Sequence, residues 1–262
     1  MRVLIVGDVH GRWEALAAAV RQAQTDYRIE AAIQVGDFGF TREALQRARA
    51  ARWRFAVPVH AIDGNHEDHD WLGRLELLGA TRAWREELNL WYQPRPSVAR
   101  LGGAVVGFLG GALHVDRPQR HNLLAGLPNY ILRRQRERAA SLFNRERCDL
   151  VVTHSCPAGI GIGMRAAAEH AAAVGEHVRA AGFEAGPAED CGEVELARLW
   201  EELQPRPGAW VFGHFHRTHQ AVIAGTRFFA VDDRLEGPDR LLTLWDTAEK
   251  KILRCPADPS GA

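Results

Sequence analysis

The feature that most constrains the fold is one local pattern that occurs three times in the first 78 residues. Each copy begins with a short apolar run, continues through a polar turn and ends in a segment with helical periodicity. The apolar runs and turns read RVLIVGDVHG, AAIQVGDFG and FAVPVHAIDGNH, and helices are predicted over residues 13–23, 41–51 and 68–78. Strands that alternate with helices in this way favour an α/β fold with a mostly parallel sheet.

The remainder of the chain mixes β-rich and helical patterns. Short runs from residue 89 onward (LWYQ, SVARLG and AVVGFLGGAL) are interrupted by Pro and Gly, as in hairpins. Helical patterns cover residues 129–145 and 164–204, and further strands occur in DLVVTHSCPAG, AWVFGHFH and the C-terminal region. With 262 residues, we expect one domain over residues 1–255 and a loose tail over residues 256–262.

The overall composition limits the choice of partners. Lys plus Arg (33) equals Asp plus Glu (33), so net charge gives no argument for a nucleic-acid scaffold or an anionic membrane partner. The N-terminal apolar run is short and no segment approaches eighteen apolar residues, so neither a signal peptide nor a membrane anchor is predicted. The four cysteines lack paired spacing. We therefore expect a cytoplasmic protein with reduced thiols and no membrane partner.

Five apolar strands end in residues that commonly bind metals or substrates. The five turns are GDVH, GDFG, DGNHE, THS and GHFH. The carboxyl ends of strands in open α/β sheets face the crevice where ligands bind, so the turns are expected to converge on one site. The side chains that they offer are Asp8, His10, Asp37, Asn65, His66, His154, His214 and His216.

This set of side chains favours a pair of metal ions. Imidazoles combined with carboxylate or amide oxygens suit manganese, iron or zinc better than calcium. Eight groups are too many for one ion, whereas two ions that share a bridging carboxylate would use them well. We expect two divalent transition metal ions, with manganese favoured over iron or zinc. In DVH and HFH the two ligands are two residues apart, which would place both on one face of an extended segment.

The ordered motifs DVHG, GD, GNHE, TH and GHFH resemble the signature of the calcineurin-like metallophosphoesterases. The resemblance spans residues 8–216, which is most of the chain. It implies an α/β fold in which two sheets pack face to face as a β-sandwich flanked by helices. It also places the site at the strand ends.

The resemblance also implies roles for individual residues. It makes Asp37 the bridge between the ions and leaves His66 as the catalytic residue, which stabilises the transition state or protonates the leaving oxygen. Asn65 serves both as a metal ligand and as a substrate-binding residue, and Glu67 orients a neighbouring group, whereas Asp63 and Asp68 receive no role. The ligands of one ion are Asp8, His10 and His216, and those of the other are Asn65, His154 and His214.

Such a site predicts hydrolysis of phosphate esters. A water that bridges two cations loses a proton near neutral pH, and the resulting hydroxide attacks phosphorus while both metals neutralise the developing charge. The mechanism requires no covalent protein intermediate. A metal-free scaffold of the same fold is the alternative from another functional class.

The second motif narrows the substrate. Protein serine/threonine phosphatases and diadenosine tetraphosphate hydrolases of this superfamily extend it to GDxxDRG, whereas this chain has Phe40 and Thr41 in place of the Asp and Arg. Arg42 could replace the arginine in part. The absence favours phosphodiesters of nucleotides or nucleic acid, with a phosphomonoesterase as the alternative. A weaker similarity in layout to RNA lariat-debranching phosphodiesterases points the same way.

Substrate contacts are predicted in the segment HVDRPQRHN, residues 114–122. His114, Arg117 and Arg120 could line the substrate entrance and pair with phosphate, although a solvated loop explains the segment equally well. Three of the eight tryptophans, Trp71, Trp84 and Trp91, are conceivable stacking platforms for a base.

Overall fold

The structure is a computed structural model that describes residues 1–113, 129–160, 192–237 and 240–256, together with positions 172, 176 and 179. Two six-stranded mixed sheets pack against each other, with helices on their outer faces. This arrangement confirms the predicted two-sheet α/β sandwich.

The strands in chain order are β1 (Arg2–Val6), β2 (Ala31–Gln34), β3 (Val59–Ala61), β4 (Leu90–Tyr92), β5 (Ser97–Leu101), β6 (Ala104–Leu109), β7 (Leu150–Thr153), β8 (Ala209–Phe212), β9 (His219–Ile223), β10 (Thr226–Ala230), β11 (Leu241–Asp246) and β12 (Lys251–Pro256). The helices are α1 (Trp13–Tyr27), α2 (Arg42–Ala50), α3 (His69–Leu77), α4 (Ala83–Leu88), α5 (Arg133–Glu146) and α6 (Val194–Glu202), with a 3₁₀ turn at Ala80–Arg82.

The first sheet has the order β12-β11-β1-β2-β3-β4, and the second has the order β5-β6-β7-β8-β10-β9. Strands β1 to β4 are mutually parallel, as are β6, β7, β8 and β10. The remaining strands join the sheet edges in antiparallel pairs. The carboxyl ends of the strands that precede the five polar turns therefore meet at one edge of the sandwich.

Both faces of the central strands are buried, which explains why their sequences are almost entirely apolar. Along β1, Val3 and Ile5 enter the core between the sheets, whereas Leu4 and Val6 pack in the cluster under the helices of the first sheet. The second sheet alternates in the same way, with Val211 between the sheets and its neighbour Trp210 facing α5 and α6.

Helix boundaries differ from the predicted ones for local reasons. Helix α2 begins after Thr41, whose Oγ1 accepts a hydrogen bond from Ala44 N at 3.2 Å, and α3 begins after Asp68, whose Oδ1 accepts one from Trp71 N at 3.0 Å. Both residues are N-caps, so each helix starts one residue later than predicted. Helix α1 continues beyond residue 23 and ends before Arg28, which has a left-handed conformation.

Two predicted segments are described only in part. Helix α5 begins at Arg133 rather than at residue 129. Of the helical pattern over residues 164–204, the structure describes positions 172, 176 and 179 and residues 192–204, in which α6 spans Val194–Glu202. Pro256, the first residue of the predicted tail, still pairs with Leu241 in β12, and residues 257–262 lie outside the described part. Among the described helices, none is long and apolar enough to cross a membrane.

Candidate metal centre

The five turns bring all eight predicted ligand and catalytic side chains to one place. Asp8 and His10 come after β1, Asp37 after β2, and Asn65 and His66 after β3. From the second sheet, His154 comes after β7, and His214 and His216 after β8.

One group of side chains surrounds Asp8. Its Oδ2 lies 3.1 Å from His216 Nε2 and 3.8 Å from His10 Nε2, and the two imidazole nitrogens are 3.3 Å apart. One ligand atom from each of these three residues lies within 4.8 Å of the others, so the group could hold a metal ion.

The Asp37 carboxylate lies between this group and a second one. Its Oδ2 is 3.9 Å from His10 Nε2, 3.3 Å from His154 Nε2 and 3.9 Å from His66 Nε2. Asp8, Asp37 and His154 also satisfy the 4.8 Å distance for shared coordination of an ion. A single carboxylate oxygen thus contacts side chains from both sheets.

Asn65 and His214 complete the second group. Asn65 Oδ1 lies 3.0 Å from His154 Nε2, and the His214 ring packs edge-on against His154 with centroids 4.9 Å apart. His214 Nε2 is buried and has no hydrogen-bond partner among the described residues. A buried imidazole nitrogen without a partner is costly unless a ligand meets it, and a divalent cation fits its lone pair.

Burial and neighbouring charges shift the titration of the centre. Burial and then the His154 charge lower the pKa of His214 to about 3, so that ring is neutral and able to bind a cation. Burial also opposes the charged form of His154, but Asp37 and Asp8 outweigh it and raise its pKa to about 10. Burial likewise opposes ionisation of Asp37, but His154 and His66 hold its pKa below the ordinary value. The buried carboxylates therefore require positive charge beside them in order to stay ionised.

The backbone is strained at four of the predicted ligands. His10, Asp37, His214 and His216 have φ values of 49°, 52°, 68° and 51°, and they are four of the ten non-glycine residues with positive φ in the described chain. The expectation that DVH and HFH are extended is therefore wrong, because β1 and β8 end before the ligands and the turns curl. Left-handed backbone at non-glycine residues tends to concentrate at functional sites.

Glycines adjoin the predicted ligands because there is no room for a side chain. A Cβ on Gly64 would collide with Asp37, one on Gly213 with Asp8, and one on Gly36 with His154. The GD, GN and GH pairs of the motifs thus allow the backbone of one turn to approach the ligand of another.

The comparison with known proteins agrees with this geometry. The family model of the calcineurin-like phosphoesterases matches residues 1–218. The chain belongs to this family. No curated protein matches the chain.

Solved structures match this calcineurin-like phosphoesterase over nearly its full length. The protein TT1561 of Thermus thermophilus is 13% identical with a TM-score of 0.61, and the match covers 98% of this chain and 99% of that one. At this identity the likeness concerns the fold alone. A novel archaeal phosphodiesterase is 10% identical with a TM-score of 0.45, over 98% and 99% of the two chains.

Several residues that support the centre of this calcineurin-like phosphoesterase were not predicted. Asp233 Oδ2 lies 3.4 Å from His216 Nδ1, so a carboxylate orients that imidazole from behind. Arg12 donates to the carbonyls of Val9, Asp8 and Asp233, which ties the first turn to the segment after β10. The only sequence signal for Asp233 was its position at the end of an apolar run.

Glu67 acts on the backbone of two turns. Its carboxylate accepts hydrogen bonds from Gly64 N at 2.7 Å and from Gly39 N at 3.2 Å. Burial and then the nearby Asp37 and Asp63 raise its pKa to about 8. Glu67 thus orients the backbone of two turns, which is the form that its predicted orienting role takes in the structure.

Asp63 lies outside the converging side chains and contacts Arg95 and Tyr92. Its Oδ2 accepts a hydrogen bond from Arg95 Nε at 2.6 Å, and the Tyr92 hydroxyl lies 3.4 Å from Oδ1. A cavity of about 280 Å³ between α3 and α5 is lined by Asp63, Arg95 and Tyr92 but by none of the eight converging side chains.

The remaining sequence predictions have mixed outcomes. His114, Arg117 and Arg120 lie outside the described residues. Trp84 is buried and stacks on Phe40 in the core, so the prediction that it could be a base platform is wrong. Phe40 itself is fully buried, which shows that the position of the missing Asp is used for packing.

Proposed function

We propose that this chain is a two-metal phosphoesterase that cleaves phosphodiesters of nucleotides or nucleic acid. The observation that carries the proposal is the position of the Asp37 carboxylate between two groups of ligands. Its Oδ2 lies within 4 Å of imidazole nitrogens from His10, in the first group, and from His154, in the second.

The residues present suit a pair of divalent transition metals. We assign Asp8, His10 and His216 to one ion, Asn65, His154 and His214 to the other, and Asp37 to both. When bound, the ions activate a water as the nucleophile and neutralise charge on the phosphoryl oxygens. The mixture of imidazole and oxygen ligands fits manganese, and also iron or zinc.

His66 is suited to act on the substrate. Its backbone N–H donates to Asp37 Oδ1 at 2.9 Å, which fixes the turn, while its side chain is 29% exposed. His154, in contrast, is fully buried. The His66 imidazole can therefore face a bound ester and give a proton to the leaving oxygen.

The proposed preference for diesters rests on two side chains near the centre that make contacts within the protein. Thr41, at the position of the phosphatase-type Arg, caps α2, and the Arg12 guanidinium donates to backbone carbonyls. A phosphodiester carries one negative charge where a monoester carries two near neutral pH, so it needs less positive charge from protein side chains.

The test combines metal analysis with two chromogenic esters. The protein is stripped with EDTA and reloaded with Mn²⁺, and metal content is measured together with turnover of bis(p-nitrophenyl) phosphate and p-nitrophenyl phosphate. We expect two ions per chain and faster turnover of the diester.

Each part of the proposal has its own contrary result. Fewer than one restorable ion with Mn²⁺, Fe²⁺ or Zn²⁺ would favour a metal-free scaffold. Much faster cleavage of the monoester would replace the diester preference with the phosphomonoesterase alternative. Asp37→Asn should weaken the binding of both ions, and a variant with full occupancy and full rate would contradict the bridging role.

A further inference from the structure

A second cavity, of about 150 Å³, lies beside the metal centre between the start of α1 and the length of α2. Gly11 forms part of its wall and directly follows His10, so the cavity begins one residue from a proposed ligand. The rest of the wall includes Trp13, Glu14, Arg47 and Trp53.

The aromatic side of this cavity is rigid. Trp13 and Trp53 lie nearly parallel, with an interplanar angle of 24° and centroids 6.1 Å apart. Trp13 Nε1 donates to Phe38 O at 3.1 Å, and Phe55 packs edge-on against Trp53 at 4.3 Å. Both indoles are thus held in place before any ligand arrives, which lowers the entropic cost of stacking on them.

The cavity has room for a ring. Small residues of α2 and its end, Ala44, Ala48 and Ala51, line it, and a cavity of this volume holds roughly one benzene-sized ring. Gly11 has φ +77°, and a Cβ built there would meet nothing within 4 Å, so the space directly beside Gly11 is open.

The rim carries complementary polar groups. Glu14 and Arg47 are both exposed and both line the cavity, so one offers acceptors and the other offers donors. A pyrimidine base such as thymine presents a ring N–H beside carbonyl oxygens, which matches this pair. Purines exceed a single ring.

We propose that this cavity is a subsite for the pyrimidine base of a nucleotidyl phosphodiester, with the ring stacked on Trp53. The inference rests on the proposed phosphodiesterase function. The sequence analysis considered Trp71, Trp84 and Trp91 as platforms for a base. The proposed subsite uses Trp13 and Trp53 instead, because both line the cavity next to the centre.

The test compares two esters that share the leaving group and the charge: thymidine 5′-(p-nitrophenyl phosphate) and methyl p-nitrophenyl phosphate. Stacking on an aromatic side chain contributes roughly 5- to 150-fold per base. We expect the Mn²⁺-loaded protein to prefer the thymidine ester, and Trp53→Ala to lower this ratio of kcat/KM at least fivefold. Trp53→Phe should retain most of the preference.

A matched control is available. Trp91 is also partly exposed and has the Arg85 guanidinium 4.5 Å from its ring centroid, but it does not line the cavity. Trp91→Ala should leave the ratio unchanged. Arg47→Gln, a surface change at the rim, should lower the ratio at least threefold and provides the test if Trp53→Ala does not fold.

A binding measurement separates this subsite from the proposed reaction. Thymidine should quench tryptophan fluorescence of the metal-free protein, and Trp53→Phe should reduce the change in emission. Equal losses for both esters in Trp53→Ala, together with no quenching by thymidine, would overturn the subsite. Absence of hydrolysis of both esters with quenching intact would instead overturn the proposed function and leave the subsite supported.

Discussion

His66 differs from the other imidazoles around Asp37 in its surroundings. His154 is fully buried and its Nδ1 lies 2.8 Å from the Val35 carbonyl, so its second nitrogen faces the centre. His66 is partly exposed, and its ring meets that of His10 edge-on with centroids 5.2 Å apart. This difference in exposure supports the proposal that His154 binds metal and that His66 acts on the substrate.

We expect His66→Gln to keep two Mn²⁺ ions and to lower kcat by a factor of about 10² to 10⁴ for a dinucleotide, whose alkoxide leaving group needs a proton. The loss should be smaller for bis(p-nitrophenyl) phosphate, because p-nitrophenolate leaves without protonation. Single-turnover rates and metal content on the same samples provide the measurement. Equal losses for both leaving groups would exclude proton donation, and unchanged turnover would remove His66 from the mechanism.

His60 is an example of a histidine that serves packing. It is buried on β3, its Nδ1 lies 2.9 Å from Gln93 Nε2, and it stacks on Phe108. Burial, followed by the charge of Arg85, lowers its pKa to about 4. Since the folded pKa lies below the unfolded value, protonation favours the unfolded chain, and stability is lost as the pH falls from about 6.5 toward 4.

Between pH 7 and pH 5, this titration should cost the wild-type protein about 2 kcal/mol of unfolding free energy that His60→Gln does not lose. Urea unfolding of both metal-free proteins at the two pH values measures it, because the titration of the centre cancels in the difference. His219→Gln, at an exposed position on β9, should follow the wild-type profile. Parallel pH profiles for wild type and His60→Gln would contradict the assignment.

At the scale of the elements, the turns were predictable because parallel strands present their carboxyl ends at one edge. The runs before Asp8, Asp37 and His154 are short, and each contains one polar residue among apolar ones. The sequence therefore indicates both the strands and the turns after them. The allocation of strands to two sheets came from the family resemblance, since local patterns cannot specify which distant strands pair. The curled backbone of DVH was missed because alternation assumes that the strand continues.

Contacts between distant elements could not be predicted from the sequence. Asp63 and Arg95 are 32 positions apart, and neither belongs to a motif that pairs them. Asp63 lies two residues after β3 and Arg95 lies between β4 and β5, so their ion pair connects the turn that carries Asn65 to the segment before β5. Both side chains are buried, so neither charge has water as an alternative partner.

We expect Arg95→Met to lower the unfolding free energy by about 3–5 kcal/mol, because it removes the guanidinium that pairs with the buried Asp63 charge. The double variant Asp63→Asn/Arg95→Met should be less destabilised than the sum of the single changes. Urea denaturation of the metal-free proteins gives the coupling energy. Arg133→Met provides the control, since its pair with Glu137 is exposed and should contribute little to stability. Additive effects at positions 63 and 95 would contradict the coupling.

At the scale of the whole molecule, the centre joins the two layers of the sandwich. Asp8, Asp37 and Asn65 extend from the first sheet, whereas His154 and His214 extend from the second. Bound ions would therefore link the sheets at the edge where the turns meet. Ligands that bind only the folded chain stabilise it in proportion to the logarithm of their concentration above the dissociation constant, so the proposed ions should raise the resistance of the entire domain to unfolding.

At a free Mn²⁺ concentration one hundred times the dissociation constant, each ion should add about 2.7 kcal/mol to the unfolding free energy. For a chain of this size, two such ions correspond to a rise in melting temperature on the order of 10 °C. Asp37→Asn should lose more than half of this rise, since one carboxylate serves both ions. Glu249→Gln, at an exposed turn before β12, should keep all of it. An equal Mn²⁺-induced rise in Asp37→Asn and wild type, measured by calorimetry, would mean that the ions bind elsewhere, because Asp37 Oδ2 lies within 4 Å of imidazole nitrogens from both groups of ligands.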